Sequence, residues 1–255
     1  MRLIMWTVGL MLVAASGMAT AQSPASNPPA AAASGPSQPT KNAVVREDAL
    51  ELAQLLNPPG PLMAIAARTF DQAFDRGLGS GEEIEKLEKD HPGMVAELRR
   101  VTKEATLADL KADMPAIHRR YARFFASSFT PEELAELTAF YRSPTGVKII
   151  EAKFASIDMS DMVNRIADDP EAKMTAGDVE AINDGAVAGV WKGMSASDIV
   201  ALMSFGTRPV AKKLKSAAPQ IAQIEAEIAN EPDPELDAAI DDAMAKIFER
   251  YGVGE

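Results

Sequence analysis

Apolar side chains recur at intervals of three and four residues from Val44 onward, and no strand-length window alternates β-branched with polar residues. That period puts Leu, Ile, Met and Phe on one side of a 3.6-residue coil, so they can hide only by packing helix on helix. The expected fold is all-α: repeated helical hairpins forming a multi-helix bundle, preceded by a signal peptide and a disordered linker. A first helix over Val45 to Leu56 stops at Asn57-Pro58-Pro59-Gly60, and Pro61 opens the second, with Met63, Ala66, Phe70, Ala73 and Phe74 on its stripe. Glycines within residues 77–81 end it. A third region from Glu82 breaks at His91-Pro92-Gly93 and resumes with Leu107, Leu110, Met114, Ile117, Tyr121 and Phe124; Pro115 predicts a kink or a helix restart within that stripe. Helical domains are expected over 44–157 and 158–255. In the second, Ile221, Ile224 and Ile228 form one stripe, Leu236, Ile240, Ala243, Ile247 and Tyr251 form another, and Trp191 is expected to be at least partly buried.

Arg2 followed by the apolar run Leu3 to Ala15 and the small residues Ala19-Thr20-Ala21 reads as a secretion signal over 1–21, with cleavage after Ala19 as the alternative. The run is well short of the roughly 20 residues of a spanning helix, so no membrane span is expected once the signal is removed. Residues 22–43, rich in Pro, Ala and Ser, read as a disordered linker. The chain has no cysteine, which excludes both disulfides and lipidation at a cysteine. These features predict a periplasmic or secreted protein. With 37 Asp plus Glu against 26 Lys plus Arg and no basic run, nucleic acid is not an expected partner.

Phe129-Thr130-Pro131-Glu132-Glu133-Leu134 combines a hydroxyl cap, a proline suited to the first helical position and a glutamate placed for a capping box. Leu134, Leu137, Phe140 and Tyr141 form the buried face of that helix. Pro144 forces a turn at Ser143, and a helix from Thr145 carries Ile150, Phe154 and Ile157 inward. Residues 129–148 align without a gap on residues 194–213: Thr130 with Ser195, Glu133 with Asp198, Leu137 with Leu202, Phe140 with Phe205, Pro144 with Pro209 and Lys148 with Lys213. Met174-Thr175-Ala176-Gly177-Asp178-Val179 restarts the capped pattern. The unit reads as a helical hairpin used more than once.

The stretch Phe129 to Lys148 fills every named position of F-T-x-x-E-L-x-x-L-x-x-F-Y-x-S-P-x-G-x-K and so resembles a bacterial periplasmic family catalogued as domain of unknown function 2059. The resemblance covers roughly Leu50 to Ile157. It implies a helical periplasmic protein and supplies no reaction. The second copy departs from the motif at Gly206, Arg208 and Ala211.

Only His91 and His118 are available as imidazole ligands, neither in a zinc spacing, so no metal site is expected and both read as surface or helix-edge residues. Asp168-Asp169 and residues 231–235 lack the ligand spacing of a calcium loop. Ser143 and Ser195 read as caps rather than nucleophiles, and no catalytic residue or cofactor is assigned. The carboxylate pairs Glu132/Glu136 and Asp237/Asp241 read as polar helix faces. The binding candidate is the corner Arg142, Ser143, Gly146 and Lys148, where positive charge and free helix amides could take an anion or a partner's carboxylate. The functional expectation is a non-enzymatic periplasmic binding or interaction module, for a partner protein or an apolar ligand between helices. The alternatives are an envelope-acting hydrolase using a helix-face carboxylate pair, and a purely structural or stress-related protein.

Overall fold

The computed structural model describes residues 45–77 and 82–253. The signal and linker expected over 1–43 lie outside the described residues, as does most of the 77–81 glycine segment. The described residues form α1 (Glu47–Leu56), α2 (Pro59–Gly77), α3 (Glu82–Asp90), α4 (Met94–Ser128), α5 (Pro131–Arg142), α6 (Pro144–Ser156), α7 (Ser160–Asp168), α8 (Ala176–Lys192), α9 (Ala196–Gly206), α10 (Pro209–Asn230) and α11 (Pro234–Tyr251). Among them there is no strand, and no helix is long and apolar enough to cross a membrane. The fold is an all-α bundle.

The spine is α4, whose 35 residues span about 52 Å. From Met94 through Leu98, Thr102, Thr106 and Leu110 to Met114 its buried positions advance in steps of four. Each step overshoots a full turn by about 40°, so five of them rotate the buried stripe by about 200°. The two ends of α4 therefore face different neighbours. Met94 and Leu98 pack with Phe70 and Phe74 of α2 and Ile247 of α11, whereas Leu110 to Phe125 join the main core with α1, α5 and α10. That core draws on residues from both sides of position 157, including Leu52, Phe125, Leu137, Phe154, Leu214 and Ile221.

Several boundaries differ from the sequence expectation. The second helix begins at Pro59, because its first-turn amides have no intrahelical acceptor and both Pro59 and Pro61 are tolerated there. The sixth begins at Pro144, one residue early, for the same reason. Pro115 neither ends nor restarts α4, which is continuous. Pro115 and Lys111 both lie on the exposed side, so the carbonyl freed at Lys111 faces solvent rather than the core. Pro219 inside α10 sits on an exposed side in the same way.

His118 is buried, not a surface residue. Its Nε2 lies 2.8 Å from the Asn57 carbonyl at the end of α1, so the neutral ring donates from that nitrogen, and burial holds its pKa below the ordinary value. Its neighbour Ile117 is also buried, so the stripe of α4 is wider here than one row of apolar residues reveals. Trp191 is half-buried as expected, against Ile149, Val190 and Leu202.

Candidate functional site

The Thr130 hydroxyl accepts from the Glu133 amide, and the Glu133 carboxylate accepts from the Thr130 amide at 2.8 Å, closing the capping box that starts α5. Pro144 holds Ser143 in extended backbone at ψ 157, where it ends α5 and caps α6 by accepting from the Gly146 amide at 3.2 Å. Gly146 is required by space: a Cβ there would lie 2.3 Å from the Phe140 carbonyl oxygen. The Ser-Pro-Thr-Gly corner thus folds α6 tightly back on α5.

The charged residues of this corner have partners within the chain. Arg142 pairs with Glu51 of α1. Lys148 Nζ donates to Asp198 Oδ2 at 2.8 Å, and the Thr145 hydroxyl donates to Asp198 Oδ1, also at 2.8 Å. Asp198 is itself the capping carboxylate of α9, bonded by the Ser195 hydroxyl at 2.7 Å. Lys148, then Ser195 and Thr145, hold its carboxyl well below the usual carboxylate range. An incoming anion at this corner would compete with Glu51 for Arg142 and with Asp198 for Lys148.

A reciprocal set of contacts joins the hairpin α5–α6 to α9–α10. Lys148 bonds Asp198, and Lys213 bonds Glu133 at 2.6 Å. Between them the rings of Phe140 and Phe205 stack with centroids 3.7 Å apart and planes 2° from parallel. Lys148 and Lys213, Glu133 and Asp198, and Phe140 and Phe205 are the residues equated by the 65-residue offset, so each hairpin gives the other what it receives. The α8 capping box follows the same rule, its Asp178 carboxylate taking both guanidinium nitrogens of Arg165 at 2.6 and 2.7 Å. Sequence reading placed the caps but not the cations, because the partners lie on other helices.

Three buried ionisable residues form a second cluster, between α4, α6 and α10. The Tyr121 hydroxyl donates to the Glu225 carboxylate, which also attracts Lys153. All three are almost fully buried. Burial pushes the Lys153 ammonium down to about 8, partly offset by Glu225, and pushes the Tyr121 phenol up, helped by the same carboxylate. A charge set so enclosed can fix how three helices meet. The only sequence signal was a lysine one residue before Phe154 on an inward face.

Asp109 and Asp113, one turn apart on α4, and Asp233 at the start of α11 bring carboxylate oxygens within 4.8 Å of one another. Oxygen-only ligands of this kind suit a hard divalent cation. The sequence offered only an i, i+4 pair and an aspartate 120 residues away. Asp233 already accepts from the Leu236 amide at 3.0 Å as the cap of α11.

Glu132, Asp237 and Asp241 are exposed, and Glu136 is bonded by Arg208 at 3.0 Å. An open cleft of about 520 Å³ between α4, α10 and the start of α8 is lined by Arg120, which already pairs with Glu227 and Glu231.

Among the described residues the exposed large apolar side chains are concentrated on α9: Val200 is 67% and Met203 52% exposed, with Val147 of α6 at 39%. The only charged residue of α9 is Asp198, which is buried and paired. No curated protein and no solved structure matches the chain. Residues 115–165, which contain the C-terminal part of α4, the corner and most of α7, match the model of a family described as an uncharacterized protein conserved in bacteria, DUF2059, the same family that the motif at Phe129 to Lys148 resembles.

Proposed function

We propose that this chain is an exported helical module that binds a partner protein through α9 and performs no chemistry of its own. The observation that carries this reading is the bare apolar side of α9, where Val200 and Met203 stand in solvent on a helix without an unpaired charge. Apolar surface gathered on one element in this way is the usual mark of a contact site. The buried Tyr121, Glu225 and Lys153 support a structural rather than a catalytic role for the ionisable residues inside. The Arg2 to Ala21 segment supports export to the periplasm or beyond, and the paired contacts between α5–α6 and α9–α10 support a hairpin used twice.

The test is photo-crosslinking in the producing cells from position 203, with Ala238 on the exposed side of α11 as the control position. A discrete protein adduct from 203 that is absent from 238 and is lost with Val200→Asp is expected. Adducts no stronger at 203 than at 238 would overturn the proposal.

A further inference from the structure

In the first hairpin, the side of α5 that carries Thr138 and Arg142 is covered by α1. Arg142 pairs there with Glu51, and Thr138, one turn earlier on the same face, is only 9% exposed. Leu134, a further turn back, is fully buried. The 65-residue offset carries these three positions onto Ile199, Met203 and Thr207 of α9. The equivalence is one of packing as well as of sequence, since Phe140 stacks on Phe205 and the ion pairs Lys148–Asp198 and Lys213–Glu133 are exchanged. Yet Ile199 is only half-buried, Met203 is 52% exposed and Thr207 is exposed. Helix α9 itself packs on α6 and α10, and among the described residues no helix lies against it as α1 lies against α5.

Resting on the reading of α9 as a docking face, we infer that its occupant is a short amphipathic helix with the chemistry of α1, lying across Ile199, Met203 and Thr207 as α1 lies across α5, with Val200 beside them where α5 has the exposed Ala135. The covering helix on α5 is 10 residues long, and α9 has 11, so one such helix covers the face. The stripe that α1 buries, Ala49, Leu52, Ala53 and Leu56, is shared between α4 and α5, and its small and branched side chains let helix axes approach. The occupant of α9 needs the same stripe. It does not need the acid of α1, because Thr207 stands where α5 has Arg142.

The probe is therefore the sequence of α1 itself: a fluorescein-labelled peptide of residues 45–57, held helical by a hydrocarbon staple replacing Glu47 and Glu51. Fluorescence anisotropy would follow its binding to the purified protein. Saturable binding is expected, weakened at least tenfold by Met203→Asp with Val200→Asp, and weakened likewise by Leu52→Asp with Leu56→Asp in the peptide. Both protein positions are exposed, and circular dichroism checks that the variant keeps its helices. No saturable binding to the unaltered protein, or equal binding of the aspartate-bearing peptide, would overturn the inference. So would self-association in sedimentation velocity that Val200→Asp abolishes, which would give the face to a second copy of this chain. A position-203 adduct in cells together with failure of the peptide would retire the helical occupant and leave docking at α9 standing; absence of the adduct would retire both.

Discussion

Replacing Gly146 by alanine would put a Cβ 2.3 Å from the Phe140 carbonyl oxygen and 2.5 Å from Tyr141 Cα. Both are backbone atoms of α5, so no side-chain rotation can relieve the clash. The two helices must separate at a corner that Pro144 and the Ser143 cap hold closed. Alanine is favoured over glycine inside a helix by about 1 kcal/mol, whereas an extra methyl in a packed site costs about 1–3 kcal/mol, the upper end applying where backbone must move. The net expectation is a loss of about 2 kcal/mol, or a fall in Tm of roughly 4–8 °C for a chain of this size. Gly185 in α8 is the control, because a Cβ there meets nothing within 4 Å. Gly185→Ala should leave stability unchanged or raise it by about 0.5–1 kcal/mol. Urea denaturation followed by circular dichroism at 222 nm, a standard helix wavelength, measures both. The reasoning fails if Gly146→Ala is as stable as the unaltered chain while Gly185→Ala behaves as stated.

Burial lowers the His118 pKa from its ordinary 6.5, so as pH falls the unfolded chain takes up that proton first. Stability should therefore drop as pH falls through about 6.5 and stop dropping once the folded pKa is passed. His118→Gln should flatten this slope in urea titrations between neutral and mildly acid pH; an unchanged slope would assign it elsewhere. Glu225→Gln leaves the Lys153 ammonium buried without its counter-charge and should cost about 3–5 kcal/mol, whereas adding Lys153→Met should recover most of the loss. Equal stability of the single and double variants would disprove the pairing. A double-mutant cycle on Phe140→Ala and Phe205→Ala should give a coupling of about 0.5–1.5 kcal/mol, and strict additivity would remove the stack as a link between the hairpins.

The helical period of the apolar residues was enough to determine that the chain is all-α, and cap chemistry placed the starts of α5, α8 and α9, because both are local: they depend on residues within one or two turns. The corner was legible as far as Pro144 and Ser143 go. What Gly146 is for was not, since its reason is the Phe140 carbonyl approaching from the previous helix. Pro115 left α4 unbroken because a missing amide breaks a helix or not according to which side faces water, and that side is fixed by what packs on α4. His118 looks like an edge residue in the sequence for the same reason, since what buries it is the end of α1 at Asn57.

The tertiary structure alone decided the charges and the faces. Lys148 finds Asp198, Lys213 finds Glu133, Tyr121 finds Glu225, and three aspartates from α4 and α11 converge, all across separations that no periodicity encodes. It also decided that, among the described residues, α1 covers a face of α5 whose counterpart on α9 stays partly exposed at Ile199 and Met203. A sequence gives each helix an apolar side, but whether that side ends in the core or in water depends on how many other helices are present to cover it.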